Sequence, residues 1–462
     1  MDTKKLRQKI LDLAIHGKLV PQDPNDEPAS VLLERIKTEK EDLIKEGKIK
    51  RTKKSAKTSD TPHYPYLLPK GWEWSKLETF INEATDFVAS GSFASLRENV
   101  KYYDEPKYAV LVRTKDFQSN FTKDLVYTDK QGYEFLSNSN LFGGELILPN
   151  IGASIGKVFI VPNLQERMTL APNSIMIRCY KDTHKEWLQY LFLSPFGQEQ
   201  LRIISSSTAQ GKFNKTDLRT LNIPIPPLAE QERIVTEIKR WFTLIDEIEQ
   251  SKFDLQNIIS QTKSKILDLA IHGKLVPQDP NDESAIELLK RINPDFTPCD
   301  NGHYAQLPQS WSLAPMQTLC SLVDGEKQNG IERTNLDVKY LRGEREAKTL
   351  TSGKYVAANS LLILVDGENS GEVFRTPIEG YQGSTFKQLS INDNMNTDYV
   401  LQVIHLHRKT LRENKVGSAI PHLNKKNFRA IEVPIPPYRE QQRIVDAINI
   451  AFRHLDIIME SL

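Results

Sequence analysis

Nineteen residues, KILDLAIHGKLVPQDPNDE, occupy positions 9–27 and return unchanged at positions 265–283. Chance does not produce identity over that length, so the chain is built from two copies of one plan. A second pair follows at a different offset: LNIPIPPLAEQERIV from Leu221 and IEVPIPPYREQQRIV from Ile431. Each copy therefore reads connector, variable stretch, connector. The variable stretches differ in length and resemble each other only faintly. Leu68, Pro69 and Trp72 answer to Leu307, Pro308 and Trp311; Gly152, Gly156, Val158 and Phe159 to Gly367, Gly371, Val373 and Phe374; Ala209, Asn214 and Lys215 to Ala419, Asn424 and Lys425. Two diverged copies of one domain between near-identical connectors are expected.

The connector after Pro226 and Pro227 carries apolar residues at Ile234, Ile238, Trp241, Ile245, Ile248, Leu255, Ile259, Ile266 and Leu269, with Lys252 and Thr262 filling the gaps in steps of four and three. That spacing is a heptad seam. The prolines stand where a helix start tolerates them, and Gly273 stands at the expected C-terminal cap. One helix of roughly 50 Å, at about 1.5 Å per residue, is predicted for residues 234–269. The register continues through Ile444, Ile448, Ala451, Leu455, Ile458 and Leu462, then through Thr3, Leu6, Ile10 and Leu13. Mapped onto the central helix, the chain's end stops at the position of Lys252 and its beginning resumes at that of Asn257, so the termini together rebuild that helix. Packed antiparallel to it, they predict a pseudo-twofold, circular arrangement. Strand-like runs at 108–113, 146–149 and 361–365, beside helices and turns, make the expected class α+β (mixed): two globular α/β domains separated by two long helices forming an antiparallel coiled coil.

At 462 residues the chain exceeds the size at which single cores stop growing, about 250–300 residues. Its longest apolar run, residues 361–365, is far short of the roughly 20 residues that cross a bilayer, and the charged start MDTKKLRQK is unlike a signal peptide. A cytoplasmic protein is expected. Cys179, Cys299 and Cys320 have no Cys-x-x-Cys spacing, and none of the nine histidines forms a metal pair, so no metal site is expected. His16 and His272, the same position of the repeat, read as helix-end caps. GASIGK at 152–157 has three residues between its glycines where a phosphate loop needs four, and Val158 replaces the Ser/Thr that holds magnesium. Asn293-Pro294-Asp295-Phe296 has an acid in place of the second proline of an amino-methyltransferase motif and reads as a helix stop. Glu346-Ala347-Lys348 matches the tail of a metal-nuclease pattern, a triplet that arises often by chance. With no Gly-x-Ser-x-Gly elbow or dinucleotide fingerprint either, the chain reads as a binding protein with no catalytic residues and no cofactor of its own.

Local charge indicates what it binds. Lys+Arg number 61 against 60 Asp+Glu, which excludes a general polycation coat. Yet residues 408–429 hold Arg408, Lys409, Arg412, Lys415, Lys425, Lys426 and Arg429 against Glu413, and the equivalent 202–219 hold Arg202, Lys212, Lys215 and Arg219 against Asp217. Residues 45–57, KEGKIKRTKKSAK, add seven bases and one acid in the first half only. Such patches neutralise phosphates and fix register on duplex DNA, while loop Asn, Gln, Arg and Ser read base edges. Polarity and loop position nominate Ser92, Lys101, Arg113, Lys115, Asn150, Ser154, Lys157, Lys212 and Lys215 in the first domain. In the second they nominate Arg333, Arg342, Arg345, Asn369, Lys387, His422, Lys425 and Lys426. The alternatives are a coiled-coil scaffold whose end domains bind protein or other ligands, and a nuclease using Glu346.

PIPPLAEQERIV at 224–235, PIPPYREQQRIV at 434–445, KILDLAIHGKLVPQ at 9 and 265, and Leu-Pro-x-x-Trp opening each variable domain resemble the specificity subunits of Type I restriction-modification enzymes. The resemblance spans essentially the whole chain. It implies that residues 61–222 and 298–432 are target recognition domains, each reading one half of a split, asymmetric double-stranded DNA site. Residues 1–60, 223–297 and 433–462 would then be the helical connectors that set the spacing. It also implies that the connectors dock two methyltransferase subunits, through candidates Pro226, Pro227, Glu230, Gln231, Pro436, Pro437, Glu440 and Gln441, and that restriction subunits join them. S-adenosylmethionine, ATP and magnesium would then be bound by those partners.

Overall fold

A computed structural model describes residues 2–47, 66–181, 183–206, 211–298, 307–367, 369–413 and 423–461, with only the backbone for 409–413. The basic run beyond Gly47, Ala209, Cys299, Lys415, Ala419, His422 and Leu462 lie outside the described residues. The chain folds as two compact units, Met1–Gln250 and Ser251–Leu462.

Each unit is built on the same antiparallel sheet. In the first its order is Ile81–Asp86, Ser174–Cys179, Leu146–Pro149, Phe159–Ile160; in the second it is Cys320–Val323, Phe386–Ile391, Leu361–Leu364, Val373–Arg375. The faint resemblance between the variable stretches is thus one shared sheet. The third strand in that order is buried on both faces in both units, LILP and LLIL, which is why these stretches read as continuous apolar runs rather than alternating ones. Leu146 and Leu148 face a helical core with Trp187 and Leu191, while Ile147 joins Val110, Val112 and Met168 on the other side. Leu361 and Ile363 face Tyr399 and Val403, while Leu362 and Leu364 join Leu336, Val356 and Phe386.

The units differ in what is inserted before that strand. Residues 87–145 contribute to a second sheet ordered Tyr127–Thr128, Ala109–Val112, Met168–Leu170, Asn140–Leu141. Residues 324–360 instead form the strands Lys327–Leu336 and Thr349–Val356, closed with Gly380–Gln382 into a small barrel.

The central helix runs Leu228–Ile271, 44 residues, longer at both ends than the heptads alone predict. In the first unit the helix Thr3–Ile15 lies antiparallel to it: Arg7 pairs with Asp246 at 2.6 Å and Glu249 at 3.2 Å, while Gln22, past the helix end, reaches Glu230 at 3.2 Å. In the second, Tyr438–Ser461 is antiparallel to it, with Lys263 to Asp456 at 2.5 Å and Gln278 to Glu440 at 2.7 Å. Ile234, Ile238, Ile245 and Ile259 are buried seam positions, but Trp241 and Ile248 remain 36% and 42% exposed. Towards the helix ends the buried set changes. Leu11, Ala14 and Ile15, like Leu267, Ala270 and Ile271, are buried, whereas the predicted Leu6, Leu13, Ile266 and Leu269 are half-buried. There the globular domain covers a second helix face, so burial no longer follows one stripe.

Gly17 and Gly273 end these helices at φ +62 and +66. Lys18 N–H donates to Leu13 C=O at 2.8 Å and Lys274 N–H to Leu269 C=O at 2.9 Å, closing Schellman turns. His16 and His272 set Nδ1 2.7 Å from the carbonyls of Asp12 and Asp268, the predicted capping role. Asn293 caps Ala285–Ile292, as a helix stop should. No described helix is long and apolar enough to cross a membrane.

Candidate nucleic-acid interface

The three motifs that repeat in sequence meet at one joint in each unit. Trp72 Nε1 donates to Glu230 Oε2 at 2.9 Å, Gln22 donates to the other oxygen, and Arg233 pairs with Asp26 at 2.5 Å. In the second unit Trp311 Nε1 donates to Glu440 at 3.0 Å, Gln278 to its other oxygen, and Arg443 pairs with Asp282 at 2.6 Å. Burial raises the pKa of Glu230 and of Glu440 above the ordinary value, against the opposing Trp and Gln donors.

This geometry places the docking candidates inside the fold. Pro226, Pro227, Glu230 and Gln231, like Pro436, Pro437, Glu440 and Gln441, are buried. Gln231 Nε2 donates to Pro226 C=O and Gln441 Nε2 to Pro436 C=O, both at 2.9 Å, and Asn396 N–H donates to Gln441 Oε1 at 2.9 Å. The outward residues of these turns are Ala229 and Glu232 in one unit and Tyr438, Arg439 and Gln442 in the other. A surface-looking sequence turned inward because each Glu-Gln pair supplies acceptors and donors to a strand-to-helix corner that would otherwise bury unpaired groups.

In each unit two further loops come together. In the first unit Asn150 Nδ2 donates to Phe213 C=O at 2.9 Å, Phe213 N–H returns to Asn150 C=O at 3.2 Å, and Gly152 N–H donates to Gly211 C=O at 2.9 Å. Asn150, Ser154, Lys157 and Lys212 are thereby gathered. Asn150, 7% exposed, braces the two loops, Ser154 is half-buried, and Lys157 and Lys212 face outward. In the second unit Leu423 N–H donates to Val365 C=O at 2.7 Å, bringing the loop of Asn369 to the same place. Lys425 and Lys426 project from the exposed first turn of Lys425–Ala430, whose cap Asn424 accepts from Lys426 N–H at 3.1 Å.

Other candidates are committed to the fold. Arg113 grips the buried Asp116 at 2.6 Å and donates to Asp124 C=O, so it braces a loop. Ser92 caps the helix Phe93–Asn99, and Lys215 pairs with Asp86 at 2.8 Å. Arg333 pairs with Glu379, Arg342 with Glu372 at 2.5 Å, Arg345 with Asp337 and Lys387 with Asp324. Within the basic stretches, Arg202 pairs with Glu199 at 2.6 Å and Arg408 with Glu372 at 3.2 Å. Lys101 and Lys115 are exposed. GASIGK forms a single short turn, Gly152–Ser154, with no helix behind it to hold phosphate. Among the described residues no cluster of His, Cys, Asp and Glu is arranged to hold a metal ion.

Comparison with known proteins decides the family. The profile for the Type I restriction modification DNA specificity domain matches residues 69–255 and 325–461. The chain belongs to this family. One match falls on each copy of the repeat. The specificity subunit of the Type I restriction enzyme EcoAI from Escherichia coli is 29% identical over 436 residues, 79% of this chain and 70% of that protein. The EcoEI specificity subunit, also from Escherichia coli, is 25% identical over 99% of this chain and 90% of its own length. Among solved structures, a chain from work on complex assembly and conformational transition of the type I R-M system superimposes with TM-score 0.56 at 17% identity, covering 86% of this chain and 94% of that one. The resemblance carried by the PIPP signatures is therefore a family relationship, and the mixed helix-and-sheet fold is the family's.

Proposed function

We propose that this chain is the double-stranded DNA recognition subunit of a Type I restriction-modification complex. Residues 61–222 and 298–432 each read one half of a bipartite, asymmetric site, and residues 1–60, 223–297 and 433–462 form the connectors that set the gap and dock methyltransferase subunits. The observation that carries this is one frame used twice with two unlike inserts: identical joints suit a constant geometry, and different inserted surfaces suit different base sequences. Adenine methylation requires the target base to leave the duplex, so a separate clamp that fixes register without holding the base is the natural division of labour. S-adenosylmethionine, ATP and magnesium then belong to the methyltransferase and restriction partners, and the complex works in the cytoplasm, beside the DNA.

Selection from random duplexes, with the chain co-expressed with its methyltransferase subunit, tests this. Enrichment of two unlike half-sites at a fixed gap is expected; enrichment of a palindrome, or of nothing, contradicts the reading. Phosphate contact by the outward lysines is tested separately. Lys425→Ala with Lys426→Ala should weaken binding to all sequences alike and flatten the salt dependence by roughly 0.9 per contact removed. An unchanged slope would remove these two residues from the interface.

A further inference from the structure

In the second unit the arginines nominated as base readers are engaged with carboxylates, yet the insert presents another surface. Lys327–Leu336 and Thr349–Val356 pair antiparallel, setting Lys327 opposite Lys354, Gln328 opposite Gly353 and Asn329 opposite Ser352. Successive side chains of a strand point to opposite faces, so these pairs define an inner and an outer side. The inner side is closed: a Cβ on Gly353 would lie 2.6 Å from Tyr381 Cγ, and Gln328 is half-buried beside it. The outer side carries Lys327, Asn329, Ser352 and Lys354, all exposed. Beyond the register shift that follows Asn329, Ile331 and Leu350 are 46% and 40% exposed.

The ribbon is fixed at its root. Lys354 pairs with Asp324 at 2.7 Å, and Asp324 also takes Lys387 from the common sheet and Gln382 at 3.3 Å. Those lysines hold the Asp324 carboxyl well below its usual range. A braced two-stranded ribbon with a polar outer side suits the major groove, about 12 Å wide, which admits such a ribbon. Its residues match the base-edge code: asparagine pairs with adenine N6 and N7, serine adapts to either base of a pair, and apolar side chains meet the thymine methyl. The neighbouring Glu332, also exposed, can accept from a cytosine amino group.

We infer that Asn329 and Ser352, on the outer side of this ribbon, read base edges in the half-site assigned to the second unit, with Lys327 on a flanking phosphate. This rests on the DNA-reading function proposed above. Among the described residues the first unit's insert shows no such ribbon, so the two half-sites meet different chemistry.

Random-duplex selection with the assembled methyltransferase complex tests it, comparing the unmodified chain with Asn329→Ala, Asn329→Asp, Ser352→Ala and Lys327→Ala. Asn329→Ala should lose discrimination about 5- to 150-fold at one or two adjacent positions of one half only, the worth of a bidentate base contact. Asn329→Asp should move that preference from adenine towards cytosine, and Lys327→Ala should weaken all sequences equally. Thermal midpoints should stay unchanged, because these side chains are exposed. Unaltered preferences at both halves in the Asn329 and Ser352 variants would overturn the inference. So would loss of methyltransferase assembly with the site intact, which would make the ribbon a protein contact. Failure of the unmodified chain to select any split sequence would instead refute the DNA-reading function beneath it.

Discussion

Trp72→Ala is expected to destabilise the first unit by about 3–5 kcal/mol, the usual cost of truncating a large buried aromatic. Trp72 is 5% exposed and meets Trp187 edge-to-face at 5.7 Å between ring centres. It also supplies one of the two hydrogen bonds to a carboxylate that is itself 1% exposed. Losing that donor leaves part of a buried charged group unpaired, which by itself costs about 1–3 kcal/mol. Trp72→Phe separates the two effects, since it keeps most of the volume and removes only the N–H. Trp311→Ala should repeat the loss in the second unit, where the tryptophan is 6% exposed. Denaturant unfolding followed by tryptophan fluorescence and circular dichroism measures both. A loss below about 1 kcal/mol in either unit would mean that the joint does not hold its domain to the helices.

The second large effect is expected at the glycines that close the repeated helices. Gly17→Ala should cost roughly 2–5 kcal/mol from two sources. An L side chain at φ +62 is strained by about 1–2 kcal/mol, and the new Cβ would sit 2.5 Å from Pro69 Cγ, forcing the Leu-Pro-x-x-Trp turn to move at a further cost of about 1–3 kcal/mol. Gly273 is in the same position, with 2.4 Å to Pro308 Cγ. Gly47 is the control: its φ is +71, but nothing lies within 4 Å of its built Cβ, so Gly47→Ala should show the backbone strain alone. Equal losses at Gly17 and Gly47 would show that the proline contact does not constrain the turn.

Much of this architecture is legible along the chain. The heptads from Ile234, the prolines before them and Gly273 after them mark the central helix because helix periodicity and capping are local properties of a few consecutive residues. The apolar runs at 146–149 and 361–365 mark the strand buried on both faces for the same reason. The family, too, was readable in the repeated PIPP and Leu-Pro-x-x-Trp motifs.

What the chain alone leaves open depends on partners distant in sequence. Nothing near Glu230 announces that it will be buried against Trp72 and Gln22, more than 150 residues away. Nothing near Arg333 or Arg342 shows that Glu379 and Glu372 will take their charge. Polarity and loop position nominated these side chains for DNA, and neither shows which carboxylate the folded chain sets beside a guanidinium. The polar stretch around Asn329 carries no strand signal in the sequence, because strands are legible by their buried face and the outer side of this ribbon is in water. Sequence therefore determined the repeats, the helix limits and the two-sided core strands, where a residue's own neighbours set its free energy. Tertiary structure decided which polar groups are consumed by the fold and which are left to meet a ligand, because hydrogen bonds and ion pairs are formed by proximity in space.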